Sequence, residues 1–189
     1  MLTYSIEHDQ DPESPRDWET LGTMVCAHKR YRLGDVQADR EYPNADSWDE
    51  IKAQIEQENG PCIMLPLYLY DHGGMTMSTA GFNCPWDSGM VGIIYCPRER
   101  ALGEYSSKRL TKTIRERVVR ALTSEVEEYD KYLTGDVWGY VIEDAETGEH
   151  IDSCWGMFGY DYCEQEARAA VAASGHCPMD CSETEATLA

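Results

Sequence analysis

The apolar positions of this chain change period several times, and each change marks an element. Leu110, Ile114, Val118, Leu122, Val126, Tyr129 and Leu133 recur at intervals of four, four, four, four, three and four. That spacing keeps them on one helical face and predicts a long amphipathic helix over 107–133. Gly135 marks its end. Ser47-Trp48-Asp49-Glu50 has the form of a capping box, and Trp48, Ile51 and Ile55 follow on one face, so a second helix opens there. Asn59-Gly60-Pro61 closes it. Cys62 to Tyr70 and Met90 to Cys96 are nearly continuous apolar runs with β-favouring residues, as expected of buried strands. Pro66 within the first run requires an edge or a bulge.

Shorter strands are expected at Leu2 to Ile6 and Thr23 to Tyr31, on either side of a Pro- and acid-rich loop from Asp9 to Glu19. Asp136 to Glu143 and Glu149 to Trp155 flank the turn signal Ala145-Glu146-Thr147-Gly148 and should pair as a hairpin. A last helix runs from Tyr162 or Cys163 to Ala173. No βαβ unit repeats along this order. The expectation is an α+β fold, an antiparallel or mixed sheet packed by one long and two shorter helices. It forms a single domain over residues 1–173, followed by a flexible acidic tail over 174–189.

Composition narrows the class. With 189 residues, 42% of them hydrophobic, and twelve Tyr and five Trp, the chain has enough apolar surface for one core and does not read as intrinsically disordered. It has no run of about 18 apolar residues that could span a membrane. Met1 to Asp9 lacks the charged and apolar regions of a signal peptide, so the expected setting is the cytosol. Eight cysteines are then read mostly as reduced core residues. Cys177 and Cys181, beside His176, are the one close pair. A zinc site there would need its second half from Cys154 and Cys163, so no metal or other cofactor is assigned.

Charge changes the picture most. The chain carries 35 acidic and 16 basic residues, a formal −19. Between Arg98 and Arg120 lie eight bases and three acids, a local +5 that leaves −24 for the rest. A field of that sign repels nucleic acid and anionic membrane and attracts basic surfaces, including those built to hold nucleic acid. Solubility alone, or adaptation to salt, would also explain acidity, although the many cysteines count against the latter. Within the 107–133 helix, Lys108, Arg109, Lys112 and Arg115 crowd the positive end of the helix dipole, while Glu125, Glu127, Glu128 and Asp130 lie near its negative end. Either tertiary contacts with the chain's own acidic loops hold this helix, or a partner does, so it is a candidate homodimer surface.

The densest chemistry lies between Leu67 and Gly89. Cys84 with His72 as base and Asp71 or Asp87 as orienter would make a nucleophilic arrangement, and Asp71, His72 and Asp87 could equally ligate a divalent metal. The plainer reading is a pair of tight turns, with Gly73 and Gly74 supplying positive φ and Trp86 filling the core.

The run Leu67 to His72, then Thr76-Met77, Cys84-Pro85-Trp86-Asp87-Ser88-Gly89 and Val91-Gly92, with Trp138-Gly139-Tyr140, Cys154-Trp155-Gly156 and Tyr160 further on, resembles a family of phage and prophage proteins. The likeness spans Cys62 to Ala173 and brings no catalytic residue with it. It implies a small accessory protein of a bacterial virus or mobile element, acting in the host cytoplasm.

Setting and charge together favour an acidic anti-defence protein of the anti-CRISPR or anti-restriction kind. Its partner would be a basic, nucleic-acid-binding host protein or complex, with no direct nucleic-acid or membrane contact. Candidate contacts are Asp46, Asp49, Glu50, Glu56 and Glu58 on the first helix, and Glu125, Glu127, Glu128, Glu143, Asp144, Glu146 and Glu149 further on. The alternatives are a hydrolase or metal-dependent enzyme built on Asp71, His72, Cys84 and Asp87, and a regulator whose basic helix touches nucleic acid.

Overall fold

Along the chain the elements run β1 (Leu2–His8), β2 (Thr23–Cys26), β3 (Val36–Gln37), α1 (Ala38–Glu41), α2 (Trp48–Asn59), β4 (Cys62–Asp71), β5 (Met75–Ser78), β6 (Ser88–Pro97), α3 (Arg98–Glu104), α4 (Lys112–Thr134), β7 (Val137–Asp144), β8 (His150–Phe158) and α5 (Tyr160–Ala173). The computed structural model describes residues 1–84 and 86–174. All but Ser174 of the expected tail therefore lies outside the described residues, as do His176, Cys177 and Cys181. The fold is α+β, with an antiparallel three-stranded sheet and a mixed five-stranded one. Each sheet belongs to its own compact unit, one made of Met1–Glu13 with the chain from Gly135 onward, the other of Ser14–Thr134.

In the Ser14–Thr134 unit the strand order is β3-β2-β6-β4-β5. Successive residues of β6 point to opposite faces. Ile93 and Tyr95 meet Ile51 and Ile55 of α2 and Tyr42, while Ile94 and Cys96 meet Val118, Leu122, Val126 and Tyr129 of α4. A strand covered by helices on both faces must be apolar at every position, which is why this run and β4 carry no polar alternation. Pro66 meets its requirement through the geometry of β4. Strand β5 pairs only with Tyr68 to Asp71, so Pro66 lies where the far edge of β4 has no strand, next to a register shift between Leu67 and Tyr68.

Caps set the helix limits. Ser47 Oγ accepts the Glu50 N–H at 3.3 Å, while the Glu50 carboxylate reaches back to the Asp46 N–H at 2.9 Å, one residue beyond the usual box partner. Helix α4 begins at Lys112, five residues later than the apolar spacing suggests, because Thr111 Oγ1 takes the Ile114 N–H as an N-cap. Lys108 and Arg109 thus precede the helix, and Arg98 and Arg100 lie on the separate helix α3. The expected strand from Thr23 stops at Cys26, where His28 Nδ1 accepts the N–H groups of Arg30 and Tyr31 and turns the chain out of the sheet.

In the other unit β7 is central, paired antiparallel with β1 and with β8. The hairpin turn between β7 and β8 is held by Asp144 Oδ1, which accepts the N–H groups of Glu146 and Thr147. Helix α5 lays Cys163, Ala167 and Val171, spaced by four, against Leu2, Tyr140 and Ile142. No helix among the described residues is long and apolar enough to cross a membrane.

Candidate functional site

Both cores are built from apolar side chains, and no polar or charged residue falls in the buried class among the described residues. The acidic excess is therefore carried at the surface or in partly buried pairs. Of the candidate contact residues, Asp46, Asp49, Glu50, Glu56 and Glu58 are exposed on and before α2, Glu127 and Glu128 on α4, and Glu143, Glu146 and Glu149 around the β7–β8 turn. Some have local bonds that leave the charge in solvent: Asp49 pairs with Lys52 at 2.9 Å, and Glu56 accepts the Cys62 N–H at 3.3 Å. Two are turned to internal tasks. Asp144 anchors its turn and bonds the N-terminal ammonium at 3.3 Å, interactions that hold its carboxyl below the usual range, led by the two backbone N–H groups. Glu125 faces inward.

Glu125 belongs to a cluster that lies outside the sequence expectations. Its carboxylate accepts the N–H groups of Leu21, at 2.8 Å, and Gly22, and it pairs with Arg16 at 3.1 Å. Arg16 also bridges Asp35 at 2.6 Å and donates to the Gly22 carbonyl at 2.9 Å and Thr20 Oγ1 at 3.2 Å. Burial works against the Arg16 charge, but the two carboxylates outweigh it and hold the guanidinium above its ordinary range. The cluster closes the floor of a cavity of about 500 Å³ whose wall includes Trp18, Arg32, Arg100 and Tyr132. Every donor it aligns is taken by the protein itself, so its work is to fasten the 14–22 loop to α4. A signal for Glu125 was present in the sequence: it stands seven residues after Val118 and four before Tyr129, on the buried stripe.

The second candidate group does come together. Strand β4 delivers Asp71 and His72 to one end of the sheet, and the loop before β6 brings Cys84 and Asp87. The Asp71 N–H donates to the Asp87 carbonyl at 3.0 Å. Asp87 Oδ2 lies 3.4 Å from His72 Nδ1 and 3.7 Å from Cys84 Sγ, while Arg30 pairs with Asp71. The partner of the thiol is thus the carboxylate rather than the imidazole. The same carboxylate oxygen touches both the thiol and the imidazole. No three His, Cys, Asp or Glu side chains converge as metal ligands among the described residues. What the group does accomplish is local. Ser88 Oγ bonds the Cys84 carbonyl, Gly73 takes φ 74°, and the His72 N–H closes on the Gly74 carbonyl at 3.2 Å, all of which fix the two turns. Trp86 corrects one expectation, since it is 93% exposed and fills no core.

The basic residues complete the surface. Arg98, Arg100, Lys108, Arg109, Lys112, Arg115, Arg117 and Arg120 are all exposed, and among the described residues their single ion pair is Lys112 with Glu116 at 3.9 Å. Among the described residues no acidic loop pairs with them. Comparison of the chain with family models, curated proteins and solved structures finds no match.

Proposed function

We propose that this chain is an acidic inhibitor that binds a basic, nucleic-acid-handling host protein and occupies the sites where phosphates would sit. The observation that carries the reading is the exposure of ten of its candidate carboxylates, in a chain of net charge −19. Clusters of solvated carboxylates raise the rate at which a basic partner is met and lose that advantage in salt. The resemblance to phage and prophage proteins supplies the setting, the cytoplasm of an infected bacterium, and with it the class of target: a CRISPR surveillance complex or a restriction enzyme.

The test is made in bacteria that carry such a defence system and are challenged with a phage it restricts. Expression of the protein should raise the plating efficiency at least ten-fold. Paired reversals, Glu56→Lys with Glu58→Lys on α2 or Glu146→Lys with Glu149→Lys at the hairpin, should abolish the gain for the face that binds, while Cys84→Ala and His72→Ala keep it. Loss of the effect in Cys84→Ala or His72→Ala, with both reversals harmless, would replace the inhibitor by an enzyme.

A further inference from the structure

The outer face of α4 carries a charge pattern that is complementary to itself when reversed. Its apolar stripe, Val118, Leu122, Val126 and Tyr129, is buried. On the opposite side, Arg117, Arg120, Ser124, Glu127 and Glu128 are exposed. These five positions fall within about 100° of the helix circumference at 3.6 residues per turn, so they form one strip. The two arginines occupy its N-terminal half and the two glutamates its C-terminal half, with Ser124 between them, and half-exposed Lys131 follows on the same line one turn later. Neither the arginines nor the glutamates make an ion pair among the described residues.

We infer that this strip is a docking surface for a second copy of the chain, joined antiparallel about a two-fold axis near Ser124. Such an axis sets Arg117 against Glu128 and Arg120 against Glu127 of the other copy, and symmetry doubles both pairs. A parallel pairing would set arginine against arginine and glutamate against glutamate, so the charges select one orientation. The small Ser124 at the crossing lets the helices approach closely. Nucleic acid suits the strip less well, because half of it is acidic.

Helix α4, with 23 residues, is about 34 Å long. One strip of that length buries less than the roughly 1,200 Å² of a stable interface. The dimer is accordingly weak, and its exposed pairs are sensitive to salt. It leaves free the carboxylates of α2, a helix in the core cluster on the other face of the sheet, so its test is separate from that of the proposed inhibition.

Sedimentation equilibrium on the full chain tests the pairing. Wild type should show a monomer–dimer equilibrium at about 0.05 M salt whose dissociation constant weakens at least ten-fold at about 0.5 M. Arg117→Glu with Arg120→Glu, and Glu127→Arg with Glu128→Arg, should each be monomeric with unchanged circular dichroism and melting. An equimolar mixture of the two should dimerise, because an all-acidic strip then meets an all-basic one, and the four-fold exchange should restore the wild-type equilibrium. A monomeric wild type at low salt, a mixture that stays monomeric, or a duplex shifted by wild type but not by the arginine variant would overturn the proposal.

Discussion

The guanidinium of Arg16 stands 3.1 Å from the Glu125 carboxylate, with 5% and 15% of the two side chains exposed. The pair joins a loop near the start of the chain to the fourth turn of α4, and Asp35 completes it. Removing one member leaves the others partly desolvated and short of a partner. Arg16→Ala should therefore cost about 1 to 3 kcal/mol in urea unfolding. Glu125→Ala should cost a similar amount, since it also leaves the Leu21 and Gly22 N–H groups without their acceptor. Arg16→Lys should recover little of the loss, because one ammonium cannot bridge two carboxylates, a carbonyl and a hydroxyl placed for a planar fork. A variant within about 0.5 kcal/mol of wild type, the range of ordinary surface changes, would show that the cluster fastens nothing.

Two glycines hold strands at distances no side chain allows. A Cβ on Gly92, in central β6, would lie 2.5 Å from the Val25 carbonyl oxygen and 2.9 Å from Cys26 Sγ, so the main chain itself must give way. On Gly139 it would lie 2.2 Å from the Trp155 ring, which is 44% exposed and has solvent to move into, and 2.9 Å from the Cys154 carbonyl oxygen. Gly92→Ala is expected to cost about 3 kcal/mol and Gly139→Ala about 1 to 2 kcal/mol. The second variant should also shift the tryptophan emission to the red. Equal costs, or unchanged emission in Gly139→Ala, would contradict the packing described.

Asp130 makes a pH-dependent contribution. Its Oδ1 accepts the Met77 N–H at 2.6 Å, yet burial outweighs that bond and raises the carboxyl above its ordinary range. A raised acid binds more protons folded than unfolded, so stability falls as pH rises through the interval just above the usual Asp value, and is fully present below it. Asn keeps an oxygen for Met77 and has no charge to lose solvation. Asp130→Asn should match wild type near pH 3 and be the more stable of the two at about pH 7. Stability curves that run parallel across that range would contradict the burial of the charge.

Why some of this was legible in the sequence and some was not follows from range. The stripe of α4 and the unbroken runs of β4 and β6 are local patterns forced by burial, and each appears where the spacing places it. Element ends depend on single caps, so Thr111 moved one boundary and the His28 turn another. Strands β3 and β5 and helices α1 and α3 are of two to seven residues, too short to establish a period. The Arg16 cluster spans 19 and 109 residues of chain, and no local pattern announces such pairs. Glu125 reads as a solvated acid by its charge and as a member of the buried stripe by its helical position, and in the fold the position governs. Asp71, His72, Cys84 and Asp87 were brought together as their contour suggested, but the order of thiol, carboxylate and imidazole is set by loop geometry that residue types do not specify.

The most direct measurement of the central claim is a competition assay. Nucleic-acid-binding proteins retained from a bacterial lysate at low salt are purified, and the affinity of each for a labelled duplex is measured with increasing amounts of this protein. The inhibitor account predicts that the duplex is displaced at about one copy per binding site. The competition should weaken steeply with salt, and the reversed variants of the binding face should fail to displace it. Direct binding of the duplex by this protein, or displacement that reversal of the α2 and hairpin carboxylates leaves unchanged, would contradict it.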